Sequence, residues 1–327
     1  MKLGIIIVNY KTVELTIECL ESIAKEHALL DLNVIVVDNN SQDGSFEKLS
    51  FAVRSKGWRY WVSVKSSGYN GGFSYGNNIA IRAFFNSKDI PDYVYLINPD
   101  AYVTSKAILK LVDFMEKNST VGIVGSRIVN LDGIAQHSSF QFHSWLTELN
   151  RGFSLGVLSK ALRRWVKLQE IPENSVRTDW VSGASMMIRK SVLEKIGLFD
   201  EGYFMYFEET DFCLRASRVG FECWYFPESE VVHHEGKSSG ITYSGMAKRM
   251  PSYWFNSRRR YFIKNFGIKE IFLADTLWLF GFALWRIRNV FQNKKDHNPP
   301  HLWVDTFMNS VYIKGVNITS ETQDDTH

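Results

Sequence analysis

Three carboxylates crowd four positions at Glu208-Glu209-Thr210-Asp211, beside the aromatic run Phe204-Met205-Tyr206-Phe207. Acids this close, partly stripped of water, raise one another's pKa values, which brings a carboxylate into range to act as a general base near neutral pH. The same residues also suit the first turn of a helix, where acidic side chains offset the macrodipole. A further carboxylate ends Asn98-Pro99-Asp100, directly after the apolar run Tyr93-Val94-Tyr95-Leu96-Ile97. One aspartate at a strand end can hold magnesium or manganese when phosphates and water fill the other positions. A proline-containing turn capped by aspartate is the plainer use of those residues. Val231-Val232-His233-His234-Glu235-Gly236 adds two imidazoles, which bind divalent metals; neighbours on a strand face opposite ways, so one of the two reaches any given site.

Two segments offer polar groups with several uses. Asp38-Asn39-Asn40-Ser41-Gln42-Asp43-Gly44 follows an apolar run, and a carboxylate there can accept a uracil or thymine imide N–H or a ribose hydroxyl. Ser41 or Asp43 would serve equally as a helix cap. In Asn70-Gly71-Gly72-Phe73-Ser74-Tyr75-Gly76-Asn77-Asn78 the glycines let backbone approach a diphosphate closely. No Gly-Lys-Ser/Thr follows, so this is not a P-loop, and a tight turn before a helix also accounts for Gly71-Gly72.

These groups need elements to position them. Short β-branched runs at residues 3–8, 34–37, 60–64, 93–97 and 122–126 alternate with helical stretches, the pattern of an α/β domain with a mostly parallel sheet. Val13, Leu15, Ile17, Leu20 and Ile23 share one helical face. In such a sheet ligands bind at the carboxyl ends of the strands, where the Asp- and Asn-rich turns fall. Residues 133–176 have mixed periodicity and stay unassigned. Trp180 to Ile188 reads as one strand, and Val192 to Ile196 as a short helix ending at Gly197.

With 327 residues, 45% hydrophobic and 22% charged, the chain can bury a large core. A formal net charge of +3 gives no case for a nucleic-acid partner. Three cysteines without a CxxC pair suit a reducing compartment, and Met1-Lys2 followed directly by Leu3 to Val8 reads as a first strand, not a signal peptide. The expected location is therefore cytoplasmic. From residue 246 Lys and Arg mix with Trp, Phe and Tyr, and the apolar centre from Thr276 to Trp285 is too short to span a bilayer. A helix on the cytoplasmic face of an anionic membrane and a helix packed on the catalytic domain or a second subunit both fit. The domain expectation is 1–245 catalytic and 246–327 helical, with a polar tail from Thr319 to His327.

In their order, these segments resemble the family 2 inverting glycosyltransferases, more narrowly the bacterial rhamnosyltransferase-like members, over roughly residues 1 to 245. The resemblance implies a glycosyltransferase A type fold with a C-terminal helical extension. It implies a nucleotide site made of Asn9, Tyr10, Asp38, Asn70, Gly72, Phe73, Asn77 and Asn98, and places Trp180 and Gly183 beside the transferred sugar or acceptor. Glu208-Glu209-Thr210-Asp211 resembles the family's Glu-Asp-x-Asp segment, with Glu209 at the catalytic base. Asp100 matches the last aspartate of the family's Asp-x-Asp metal motif, with His233 as second ligand to Mg2+ or Mn2+. Two departures are Asn98 for the first motif carboxylate and Glu209 for aspartate. The implied donor is dTDP-rhamnose, with UDP-linked hexoses as the alternative, and the implied acceptor a polysaccharide or lipid-linked saccharide hydroxyl. Two other functions compete: a non-catalytic nucleotide-sugar-binding protein, and a sugar nucleotidyltransferase, which would want a basic Gly-rich loop where residues 9–16 are Asn-Tyr-Lys-Thr-Val-Glu-Leu-Thr.

Overall fold

The computed structural model describes residues 1–162, 164–166, 170–234, 248–293 and 295–318. The expected polar tail, Arg163 of the basic pair at 163–164, and Glu235-Gly236 after the histidines lie outside them. The chain divides into two compact units: Met1–Phe140, Ile171–Glu201 and Glu208–Gly240 form the first, and Gln141–Glu170, Gly202–Phe207 and Ile241–His327 the second.

The strands in chain order begin with β1 Leu3–Asn9, β2 Leu32–Asp38, β3 Val62–Ser66, β4 Tyr93–Ile97, β5 Ala101–Val103 and β6 Val121–Val129. They continue with β7 Ala135–Gln136, β8 Ser139–Phe140, β9 Val176–Thr178, β10 Trp180–Val181, β11 Ser185–Arg189 and β12 Glu222–His233. The main sheet of the first unit runs β3-β2-β1-β4-β11-β6-β12-β5, with β7 on β6 and β9 on β12. Parallel pairing joins β1 to β2 and β4, β2 to β3, and β6 to β12, while β11 inserts antiparallel between β4 and β6. Strand order reverses at β1, so the ends of β1 and β4 flank the crevice where such sheets take ligands.

Burial on both faces explains the unbroken apolar runs: Leu3, Ile5, Ile6 and Ile7 are all in the core. The helix Gly72–Phe85 lies so close to β1 that a Cβ on Gly76 would sit 2.6 Å from the Val8 side chain, and one on Gly4 2.8 Å from the Phe84 ring.

Three expectations need correction. Trp180 to Ile188 is two strands: β10 pairs with β8 in a separate two-stranded sheet, the chain turns at Ser182–Ala184, and β11 joins the main sheet. Tyr60 belongs to a 3-10 turn, Trp58–Tyr60, and β3 starts at Val62. The unassigned stretch holds β7 and β8, the helices Trp145–Phe153 and Gly156–Ala161, and the first residue of β9. The short helix occurs as expected, at Lys190–Ile196, stopped by Gly197 at φ 77°.

The second unit is helical: Trp145–Phe153, Gly156–Ala161, Ser252–Phe266, Ile268–Phe291, Leu302–Met308 and Val311–Lys314. Gly152 and Gly281 let Trp145–Phe153 and Ile268–Phe291 nearly touch, since a Cβ on Gly152 would meet the Trp278 carbonyl oxygen at 2.8 Å. Inside the unit Arg258 is buried and donates to Glu148 Oε2 at 2.8 Å and to Asp275 Oδ1 at 2.6 Å. Burial would raise the Glu148 pKa, but Arg151 and Arg258 win and hold it at about 2.

Candidate active site

At the end of β1 the buried Asn9 donates from Nδ2 to Asp38 Oδ1 (2.8 Å), while Thr16 Oγ1 donates to Asn9 Oδ1 (2.9 Å). Ser41 closes the network, its hydroxyl donating to Asp38 Oδ1 at 2.5 Å and its backbone N–H to Asp38 Oδ2 at 3.2 Å. Asp38 is thus the hub that ties the turns after β1 and β2 together. Tyr10 follows directly, with Lys11 Nζ 5.1 Å from its ring centre.

Asn39, which the sequence reading did not single out, extends this network. Its Nδ2 donates to Asn70 Oδ1 (2.8 Å) and to the Gly72 carbonyl (3.1 Å), and the Gly72 N–H donates to Asn70 Oδ1 (3.1 Å). Its own Oδ1 is buried and has no hydrogen-bond partner among the described residues. Gly72 opens the helix Gly72–Phe85 at φ +80°, a conformation that favours glycine. Phe73 meets Phe199 edge-on at 6.5 Å, and Asn77 is turned inward, donating to the Phe73 carbonyl at 2.9 Å. Asn78, of the same Asn/Gly-rich segment, exchanges two hydrogen bonds with the Phe199 backbone and donates to Glu201.

After β4, Asp100 is buried and its Oδ1 lies 3.1 Å from His233 Nε2, at the end of β12. The same ring nitrogen is 3.3 Å from Asn98 Nδ2, so it stands between an amide donor and a carboxylate acceptor. Antiparallel pairing of β12 with β5, which sets His233 opposite Ala101, creates this meeting across 133 residues of chain. His234 turns the other way, against the Tyr102 ring.

The Asn98 N–H donates to the Ala184 carbonyl at 3.3 Å, which joins this corner to the turn between β10 and β11. There the Gly183 N–H donates to Glu209 Oε1 at 3.2 Å. Glu209 lies in the first turn of the helix Glu208–Arg218. Burial raises its pKa, opposed by hydrogen bonds from its own N–H and that of Gly183. A Cβ on Gly183 would lie 2.8 Å from the Phe73 ring and 2.9 Å from Glu209 Oε1, so these three residues are packed together. Trp180 stacks on Phe140, with centroids 4.3 Å apart, at the start of the same segment.

The other two acids of the cluster, Glu208 and Asp211, are buried as well, and Asp211 accepts from Arg215 Nε at 2.9 Å. Arg215 also donates to the carbonyls of Ile196 and Leu198, so Asp211 anchors the helix to the segment before it. The four-residue spacing of Asp211 and Arg215 is the sequence signal for this pairing.

A mixed sheet whose ligand edge gathers an Asp–His pair, an Asn/Gly-rich turn and a desolvated glutamate is a glycosyltransferase A type architecture. Residues 2–251 match the family described as glycosyltransferase like family 2, and the chain belongs to that family. Over 247 residues it is 30% identical to the N-acetylglucosaminyl-diphospho-decaprenol L-rhamnosyltransferase of Mycobacterium tuberculosis, covering 68% of this chain and 77% of that one. It is also 30% identical, over 238 residues, to the low-salt glycan biosynthesis hexosyltransferase Agl10 of Haloferax volcanii, covering 71% and 67%. The crystal structure of GalNAc-T7 with UDP, GalNAc and Mn2+ superposes with a TM-score of 0.57 at 15% identity, over 91% of this chain and 55% of that one.

Proposed function

We propose that this protein is an inverting hexosyltransferase that moves a sugar from a nucleoside diphosphate to a hydroxyl of a saccharide acceptor, with Glu209 as the base. One observation carries the reading: Glu209 is a desolvated carboxylate with a raised pKa, packed against Gly183 on the segment that hydrogen-bonds to Asn98. In the reaction Glu209 takes the acceptor hydroxyl proton as that oxygen bonds to the anomeric carbon from the face opposite the diphosphate. The bond from the anomeric carbon to the diphosphate oxygen breaks, its electron pair leaves with the nucleotide, and the configuration inverts. Asn9, Tyr10, Asp38, Asn70, Gly72, Phe73, Asn77 and Asn98 line the nucleotide side, and Trp180 and Gly183 the sugar and acceptor side. Glu208 and Asp211 complete the catalytic acid segment, Asp211 holding the helix of the base through Arg215.

The Asp100 and His233 pair suits a divalent cation: a carboxylate oxygen and an imidazole nitrogen converge at 3.1 Å. Among the described residues no group of three or more His, Cys, Asp or Glu side chains gathers to hold a metal, which leaves the remaining positions to phosphate oxygens and water. Bound there, Mg2+ or Mn2+ would offset the charge developing on the leaving diphosphate. The relative named for transfer of L-rhamnose to N-acetylglucosaminyl-diphospho-decaprenol supports L-rhamnose as the sugar and a lipid-linked saccharide as acceptor, and we take dTDP-rhamnose as the donor. Mass detection of products from a panel of sugar nucleotides tests the donor, and transfer from UDP-sugars alone rejects it. For the base, Glu209→Gln should abolish transfer and leave donor binding intact; near-normal turnover rejects the assignment.

A further inference from the structure

Next to the ligand edge of the first unit, four hydroxyls lie where the core of a sheet ordinarily carries Val or Ile. Tyr95, Ser185, Ser126 and Ser229 come from β4, β11, β6 and β12, and none is more than 1% exposed. They form one chain across four neighbouring strands. Tyr95 Oη lies 2.8 Å from Ser185 Oγ, Ser185 Oγ 2.7 Å from Ser126 Oγ, and Ser126 Oγ 2.8 Å from Ser229 Oγ. The far end sets its direction. Ser229 donates to the Ala107 carbonyl at 2.8 Å, and a hydroxyl has one proton, so Ser126 donates to Ser229, Ser185 to Ser126 and Tyr95 to Ser185. Ser229 reaches the chain because β12 bulges: Phe226 stands opposite Ser126 and Glu230 opposite Arg127, which pushes the residues between them out of register.

Packing alone does not call for such a chain. Buried hydroxyls gain little over apolar side chains of like size, and each one left unpaired destabilises the core, so the network is tolerable only with every link made. What it reaches is the turn 182–184. Ser185 follows that turn, and its bond to Ser126 Oγ fixes the exit. Ser182 begins it and donates its N–H to the Ser138 carbonyl at 3.0 Å, while Ser138 Oγ donates to the Ser126 carbonyl at 2.9 Å. Both ends of the turn thus return to one residue. Between them lie the Gly183 N–H held on Glu209 Oε1 and the Ala184 carbonyl that takes the Asn98 N–H.

We propose that Ser126 is a positioning residue for the base, clamping through Ser185 and Ser138 the turn whose central N–H holds Glu209. The proposal rests on the reading of Glu209 as the base. Ser126 is fully buried, so it acts on the reaction only through the turn. Held at both ends, the turn keeps the Gly183 N–H still. Released at one end, that N–H swings, and Glu209, which the Gly183 backbone and the Phe73 ring confine, drifts from its alignment with the acceptor. Ser126→Ala keeps the carbonyl that Ser138 bonds and removes the hydroxyl link alone.

The first measurement needs no ligand. Amide hydrogen exchange of the full chain should be about tenfold faster at Gly183 in Ser126→Ala and in Ser185→Ala than in the parent. It should be unchanged there in Tyr93→Phe, which removes a buried hydroxyl from the opposite end of β4. Melting points should fall alike in all three, so that faster exchange at Gly183 is not general loosening. With dTDP-rhamnose as donor and an N-acetylglucosaminyl-diphospho-lipid as acceptor, kcat should drop about tenfold in the two serine variants while the donor KM stays within about twofold. The double serine variant should be no slower than the slower single one, because both changes break the same link. Unchanged exchange at Gly183, an equal loss of kcat in Tyr93→Phe, or multiplied losses in the double variant overturns the proposal. An inactive Glu209→Gln beside serine variants of parental rate leaves the base standing and overturns the clamp alone, whereas near-normal turnover of Glu209→Gln removes the base and the clamp together.

Discussion

Gly183→Ala places one methyl group between two side chains with separate duties. The added Cβ would be 2.8 Å from the Phe73 ring and 2.9 Å from Glu209 Oε1, roughly half an ångström inside ordinary contact. The Glu209 carboxylate is the end of a flexible side chain and yields first, so the fold loses little, on the order of 1 kcal/mol. The base, however, leaves its position and its hydrogen bond from the Gly183 N–H. Displacement approaching 1 Å at a reacting group costs about a hundredfold in rate, so kcat should fall by up to about that factor while the donor KM holds. Loss of the N–H also removes an interaction that favours the ionised form. Activity rises with pH as Glu209 deprotonates, so the acid limb of the kcat profile should move to higher pH in the variant. Steady-state kinetics across pH on purified protein measure both effects. An unchanged kcat and an unmoved limb would refute the packing of base, glycine and ring as a functional unit.

Three other outcomes follow from the structure. Asp100→Ala should remove metal-dependent donor binding in isothermal titration while leaving metal-independent binding unchanged; unchanged metal dependence would reject the metal role. Glu148→Gln leaves Arg258 and Arg151 without their shared buried carboxylate and should cost about 3–5 kcal/mol in denaturant unfolding. Burial pushes the His143 pKa down from 6.5 to about 4, so the folded state prefers the neutral ring. Its contribution is complete above pH 6.5 and drains away as pH falls through about 4, on the order of 3 kcal/mol in all; His143→Gln should flatten that part of the stability profile, and an equal slope in both proteins would count against it.

The central strands were legible because both of their faces are buried, and a continuous apolar run bounded by turns has few other uses. The turn at Ser182–Ala184 was not, since the apolar residues on both sides suit one strand and only pairing with β8 and β4 divides them. The helices Trp145–Phe153 and Gly156–Ala161 were hidden for a related reason. Glu148 and Gly152 look out of place in a core until Arg258 and the backbone of Trp278, more than a hundred residues on, meet them. In the site, Asp100, His233 and Glu209 were visible as residue types at strand ends and a helix start. Asn39 was not, because what distinguishes it is whom it bonds, and that partner comes from another loop. Asp211 was grouped with the reactive acids by proximity in sequence, whereas its buried pairing with Arg215 sets it apart.

In a wholly parallel sheet, the ligand edge receives only residues that follow strands. β11 runs the other way, so Ser182–Ala184, which precede it, arrive at the same edge as Asn98, which follows β4. The hydrogen bond from Asn98 to Ala184 couples these two turns mechanically: a shift of the backbone on the Asp100 side pulls directly on the peptide next to Gly183, and through it on Glu209. Occupancy at one end of the edge can therefore be felt as a change of alignment at the other, over two residues of backbone and without movement of a domain.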